Sequence, residues 1–229
     1  MRMNKFKFEL HTHTIHSDGK FTPKELVESA KRLGYYGIAL TDHNTASGCQ
    51  EAVKWGKEYG ILVISGIEWT TFYGHIVVLG GNSKVDWHTV TKENVIKKIK
   101  EAQTSGDIVG LAHPYRVGYP VCTGGRNEFP EEIFEVIDFY EALSGEIDDP
   151  TNLRSMKEYR EIKEKYGVSA TYGRDWHADE DISGSRYGAT LIVSEQSDLN
   201  VNDVLEHVKA GKTLIVGRDD DINLLEEHL

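Results

Sequence analysis

Cysteine is nearly absent. The 229 residues contain two, Cys49 and Cys122. That is too few for the disulfide framework of a small secreted domain, and the expected setting is a reducing cytoplasm. Long apolar runs are missing as well. None approaches the ~20 residues of a membrane-spanning helix. The opening residues, Met1-Arg2-Met3-Asn4-Lys5, pass straight into an alternating segment, without the apolar core or small-residue cleavage site of a signal peptide. Positive charge is also short. Lys and Arg number 26 against 37 Asp and Glu, a formal charge of −11. A broad surface for duplex nucleic acid needs many cations against phosphates, so that class is set aside. A small phosphorylated molecule, or the end of a strand, stays open because bound cations can supply positive charge locally.

Hydrophobic residues make up 39% and charged residues 28%, as in an ordinary globular protein, and the length suits one domain over residues 1–229. Short runs rich in Val and Ile read as strands: Phe6–Leu10, Gly37–Thr41, Leu62–Gly66, His75–Leu79, Ile108–Ala112, Val136–Tyr140, Val168–Tyr172, Ala189–Val193 and Leu214–Val216. Helices fall between them. Thr22, Pro23 and Glu25 have the spacing of an N-cap, a first-turn proline and a capping-box partner, with Leu26, Ala30 and Leu33 on one face and Gly34 at the end. Asp149-Pro150 opens a second helix that Gly167 closes, and further helices are expected near Ala46–Tyr59, Val90–Gln103 and Val201–Ala210. Tyr115–Pro130 is the one long irregular segment. No internal repeat interrupts the alternation. Strands alternating with helices predict an α/β fold with a mainly parallel sheet, and periodicity alone does not choose between a barrel and an open sheet.

The acids and histidines are placed unevenly along this pattern. His11 and His13 follow the first strand, and Asp42-His43 end the second. Glu68 lies beyond the third, His113 ends the fifth, and Asp175 and His177 follow the seventh. Carboxyl ends of parallel strands share one face, so these groups should converge. His75 opens its strand, so a hairpin or reversed strand must return it to that face. The i, i+2 pairs His11/His13 and Asp175/His177 can each reach one ion from a strand end. Imidazole with carboxylate and no thiolate suits Zn, Mn or Fe. A glutamate can bridge two ions. Any one of these signals has an ordinary reading as a turn or a solvated side chain; their recurrence at successive strand ends does not.

Other groups are read as structural. His88, His207 and His228 fall in predicted helices or the tail, and His16 in an exposed loop. Asp219-Asp220-Asp221 reads as a solvated turn, and Asp148-Asp149 as a capping pair. Among Trp69, Trp87 and Trp176, the last is the best pocket candidate because it lies between two proposed ligands.

The segment His11-Thr12-His13-Thr14-Ile15-His16-Ser17-Asp18-Gly19 resembles the opening signature of the polymerase and histidinol phosphatase (PHP) family of metal-dependent phosphoesterases. Thr41-Asp42-His43, Gly66-Ile67-Glu68, Gly74-His75, Ala112-His113-Pro114 and Gly173-Arg174-Asp175-Trp176-His177 resemble its later motifs in order. The resemblance implies a distorted seven-stranded (β/α) barrel, TIM-like, and two or three divalent metal ions. It implies that His11, His13, Glu68 and Asp175 hold the first ion. Glu68 would bridge to a second, completed by His75 and His113, and Asp18, His43 and His177 would hold a third.

The expected chemistry is hydrolysis of a small phosphomonoester or phosphodiester, a nucleotide or oligonucleotide end included, by a metal-bound hydroxide. Arg116 and Arg174 are the candidate phosphate donors, with Lys20 and Arg126 behind them, and Asp42 is expected to orient a ligand or water. Two alternatives remain. Leu40–Thr45 is similar to the branch of the family that includes carbaryl hydrolase, which points to a carbonyl ester, carbamate or amide. A metal-binding domain without turnover is the other.

Overall fold

The computed structural model describes residues 3–82, 84–116, 129–178, 186–217 and 224. Most of the Tyr115–Pro130 loop, including Cys122 and Arg126, lies outside the described residues, as do Asp219-Asp220-Asp221 and His228. Strands and helices alternate as the periodicity predicts: β1 (Asn4–Thr12), α1 (Pro23–Arg32), β2 (Gly37–Leu40), α2 (Cys49–Tyr59), β3 (Leu62–Thr71), β4 (Gly74–Leu79), α3 (Val95–Thr104), β5 (Ile108–Leu111), β6 (Phe139–Ser144), α4 (Pro150–Tyr166), β7 (Ser169–Gly173), β8 (Ala189–Ser194), α5 (Val201–Lys209) and β9 (Thr213–Val216). None of the described helices is long and apolar enough to cross a membrane.

Helix ends follow the expected chemistry. Thr22 Oγ1 accepts from Glu25 N–H at 3.2 Å, and Glu25 Oε2 accepts from Thr22 N–H at 2.8 Å, closing the capping box of α1. Asp149 caps α4 by accepting from Thr151 N–H at 2.8 Å, and Gly167 ends that helix with φ 72°. Some strand boundaries differ. β3 runs to Thr71 instead of Gly66, so Glu68 lies within it and not beyond it. The run expected at Val136–Tyr140 splits: Glu131–Glu135 is a 3-10 turn with Val136 at its end, and β6 begins only at Phe139. A short apolar run does not separate a buried turn from a strand, and Val136 and Ile137 pack into the cluster around α3 and α4.

β1 to β7 lie side by side in chain order. Six of them share one direction, and β4 alone is reversed because the hairpin from β3 is too short for a crossover. That reversal, with β8 returning antiparallel to β1 and β9 to β8, makes half of the strand pairings antiparallel. The barrel is nearly closed. At its carboxyl end Thr12 pairs with Trp176, His13 N–H donating to Trp176 O at 2.9 Å and Trp176 N–H to His11 O at 3.1 Å. Further down, Thr190 of β8 spans the seam, its Oγ1 accepting from Tyr172 N–H at 2.9 Å and donating to Tyr172 O at 3.1 Å. This is the distorted seven-stranded barrel that the resemblance implies.

Phe8, Ala39, Ile64, Val77, Ile108 and Phe139, one from each of six consecutive strands, meet in one buried cluster. Val204, Leu205 and Val208 of α5 join it beside Phe6 and Leu62, closing the end away from the histidines. Full burial of each of the larger side chains among them, Val, Leu, Ile or Phe, stabilises the fold by about 1.5–3 kcal/mol. Inside, β5 and β6 approach closely: a Cβ on Gly110 would lie 2.3 Å from the Phe139 ring. Gly110→Ala should therefore destabilise the metal-free protein by about 1–3 kcal/mol in urea unfolding. An unchanged midpoint would mean that Phe139 has room to move.

Candidate metal centre

The carboxyl end of the barrel gathers every predicted ligand. β3 runs past Glu68 to Thr71 and turns at Phe72-Tyr73, so reversed β4 brings His75 back opposite Thr70. The pairing between β1 and β2 shifts register between Glu9 and Thr12. Beyond that irregularity, the His11 and His13 rings sit 5.0 Å apart. Three non-glycine residues with positive φ lie here: Asn44 (57°), His113 (24°) and Asp175 (56°). Such strain persists only where surroundings hold it. Asn44 is held by donating N–H to Glu68 O at 2.9 Å and by accepting from Thr70 N–H at 2.8 Å.

Glu68, with no exposed surface, stands at the middle. Its Oε1 faces His75 Nδ1 at 2.8 Å and His113 Nε2 at 3.0 Å. Its Oε2 faces His43 Nδ1 at 2.8 Å, His11 Nε2 at 3.3 Å and His13 Nε2 at 3.4 Å. Asp175 Oδ1 completes that second side, 3.4 Å from His11 Nε2 and 3.0 Å from His13 Nε2. Outward of this, Asp18 lies 3.2 Å from His177 Nε2 and 3.5 Å from His43 Nε2. The potential donor atoms of His11, His13, Glu68 and Asp175 all lie within 4.8 Å of one another, and so do those of His13, Asp18, His43 and His177, and of His43, Glu68 and His75.

These residues fit cations. Buried polar atoms without a hydrogen-bond partner are costly and rare, and here they cluster: His11 Nε2, both nitrogens of His13, Glu68 Oε2, His75 Nε2, His113 Nδ1 and Asp175 Oδ1. Imidazole and carboxylate donors facing a common space are what a divalent ion needs.

The electrostatics of the bare site point the same way. Burial alone would raise the Glu68 and Asp175 carboxyls, but the surrounding histidines, His11 above all, hold both well below the usual range. Burial would lower His43, yet Asp18 and Glu68 push it up to about 10. His11 is likewise held well above its usual value against burial, by Glu141, Glu68 and Asp175. In the bare site His11, His43 and His177 are thus biased toward the protonated form by the carboxylates they face, whereas burial lowers His13.

The remaining predicted residues are placed as follows. Asp42 Oδ1 accepts from Thr14 N–H at 2.7 Å and Ser17 Oγ at 2.8 Å, so it shapes the loop that carries Asp18. Arg116 donates to Asp175 Oδ2 at 3.0 Å and borders a cleft of about 580 Å³ that reaches Asp175 and His177. Arg174 also lines that cleft, but the residue is only 4% exposed, its guanidinium stacked on Tyr187 and Trp176. Trp176 touches the cleft and is also a core residue, packed edge-on against Phe21. His16 bonds Ser47 at 2.8 Å in an exposed loop, and His88 and His207 bond their own segments away from the centre. Sequence reasoning missed Glu9, Glu141 and Thr70. Glu9 Oε1 accepts from the N–H groups of His11 and Arg174, tying the ends of β1 and β7 together, and burial raises its carboxyl to about 8. Thr70 Oγ1 lies 2.6 Å from His43 Nδ1. The signal for the two glutamates was a lone acid inside an apolar strand, Phe8-Glu9-Leu10 and Tyr140-Glu141-Ala142.

Residues 9–169 match the family model of the PHP domain. The chain belongs to the PHP family. An uncharacterized protein of Methanocaldococcus jannaschii is 30% identical to this PHP chain over 169 residues, 73% of the chain and 72% of the relative. A 3',5'-nucleoside bisphosphate phosphatase of Chromobacterium violaceum is 37% identical over 76 residues, 31% of the PHP chain and 27% of that enzyme. In structure, a two-domain protein of Bacteroides vulgatus containing a predicted PHP-like metal-dependent phosphoesterase superposes with TM-score 0.71 at 17% identity, which shows the shared fold. The match covers 93% of the PHP chain and 65% of that protein.

Loading of this PHP protein with metal should release protons. His43, at about 10, binds a proton at pH 7 that an incoming ion must displace. Metal affinity should therefore rise with pH as long as His43 is protonated in the metal-free protein, and level off above about 10. Calorimetric Mn²⁺ titration in buffers of different ionisation enthalpy measures the release, and equal heats in all buffers would contradict it.

Proposed function

We propose that this PHP protein is a metal-dependent phosphoesterase acting on a small phosphomonoester or phosphodiester, a nucleotide or oligonucleotide end included. The observation that carries this reading is the two-sided position of Glu68, whose Oε1 faces His75 and His113 and whose Oε2 faces His11, His13 and His43. That geometry suits a bridge between two ions. His11, His13, Glu68 and Asp175 would hold one, Glu68, His75 and His113 the second, and Asp18, His43 and His177 a third. Zn, Mn or Fe would suit this donor set. Bound divalent cations lower the pKa of water and neutralise charge on phosphoryl oxygens.

The chain's own residues supply the rest. Arg116, with its side chain 35% exposed and one nitrogen on Asp175 Oδ2, is placed to offer its remaining N–H groups to a phosphate entering the cleft. Arg174 adds fixed positive charge beneath the same wall. Asp42 holds the loop that presents Asp18 through Thr14 and Ser17. The buried floor excludes water from the donor atoms of His11, His13 and Glu68. The cleft also carries Glu146, Asp148 and Asp149, so the preference for a phosphoryl over a carbonyl substrate rests on Arg116 beside Asp175.

The test compares an aryl phosphate with an aryl ester on protein reloaded with Mn²⁺ or Zn²⁺. Phosphate release should exceed ester cleavage; the reverse order would move the protein to carbonyl chemistry, and neither activity would favour a metal-binding domain without turnover. Glu68→Ala and Asp175→Ala should lose most turnover, whereas Glu132→Ala, on the exposed turn at Glu131–Glu135, should match the wild type. Arg116→Ala should lower kcat/KM for the phosphate ester about 10–100-fold, the worth of a hydrogen bond to a charged group, measured at saturating metal because Arg116 also holds Asp175.

A further inference from the structure

We infer that Glu141 is a positioning residue for two of the metal-facing histidines at once, and that position 173 is glycine to admit its carboxylate. The inference rests on reading His11 and His113 as metal ligands. Glu141 lies in β6, a strand buried along its whole length, and is itself 1% exposed. A buried carboxylate is tolerated only when its oxygens are well partnered. Both are, and both partners belong to the candidate centre. Oε1 lies 2.7 Å from His11 Nδ1. Oε2 accepts from the backbone N–H of His113 at 2.8 Å.

The two contacts do different things. On His11, a carboxylate at Nδ1 selects the tautomer with its proton there and leaves the lone pair on Nε2. Nε2 is the atom that faces Glu68 and Asp175, and it has no hydrogen-bond partner. On His113, the contact restrains the backbone. This residue has φ 24°, which a side chain rarely adopts, and its Nε2 lies 3.0 Å from Glu68 Oε1. One carboxylate therefore sets a ring on one side of Glu68 and a main chain on the other.

Gly173 explains how the carboxylate fits. It ends β7 opposite Ser144 of β6, and its φ is outside the range that side chains avoid. Backbone conformation does not require glycine there. Space does: a Cβ would lie 2.2 Å from Glu141 Oε1, 2.7 Å from its Cδ and 2.9 Å from His11 Cβ. A methyl group at this position would push Glu141 off His11.

The test is metal affinity rather than turnover, so it stands even if the substrate proves not to be a phosphate ester. Zn²⁺ affinity is measured by competition with a chromophoric chelator for the wild type, Glu141→Gln, Glu141→Asp, Gly173→Ala and the double variant Glu141→Gln/Gly173→Ala. Circular dichroism of the metal-free forms confirms folding. Glutamine keeps the shape but offers one acceptor where two are needed, and aspartate keeps the charge but not the reach. Each single variant should bind Zn²⁺ about 10–100-fold more weakly, as loss of an outer partner of a metal-bound histidine does. The double variant should be no weaker than the worse single one, because Gly173 acts through Glu141. A purely structural role would lower metal-free stability and leave affinity unchanged. The proposal is overturned if any folded single variant holds Zn²⁺ as tightly as the wild type, and its Gly173 part fails if the losses add.

Discussion

A carboxylate sealed from water must be surrounded by positive charge, and Glu68 imposes that requirement on the whole carboxyl end of the barrel. Neither of its oxygens reaches solvent, and β1, β4 and the loops after β1, β2 and β5 deliver the imidazoles around them. In the bare protein the balance is met by protonated histidines; in a loaded one cations would take their place. The hairpin that reverses β4, the register shift in β1 and the strained backbones of Asn44, His113 and Asp175 all serve that convergence. Each would be a defect in a barrel built only for stability.

The surroundings of this cluster are graded. His11, His13 and Glu68 have no exposed side-chain surface, whereas the side chains of Asp18, His177 and His43 are 56%, 32% and 21% exposed. Charges near water interact more weakly than those in the interior. The Asp18 group thus works in a softer field than the Glu68 group, although His13 belongs to both.

Most of the centre was legible because its residues fall at strand ends, where spacing along the chain translates directly into position on one face. His11, His13, His43, His113, Asp175 and His177 could be found that way. His75 could be placed only by supposing the hairpin that β3 and β4 in fact form. Glu9 and Glu141 escaped because they lie within strands, where an isolated acid looks the same whether it meets a histidine, a backbone N–H or solvent. Arg174 shows the converse limit. Its place beside Asp175 pointed to a substrate contact, but its stacking on Tyr187 and Trp176 depends on residues whose approach no local pattern encodes. Barrel closure was legible only through the family resemblance, since it is made by main-chain bonds between Thr12's neighbours and Trp176 and by the Thr190 hydroxyl, which periodicity does not encode.

Those two bonds have a wider implication. The peptides that shut the seam belong to His11, His13 and Trp176, the same stretches that present ligands from β1 and from the loop after β7. A cation drawing His11, His13 and Asp175 together would also draw the first and seventh staves of the barrel together. Under the proposed function, loading the centre and fastening the cylinder would be one thermodynamic event, and an ion held by these side chains would act as a clasp for the architecture.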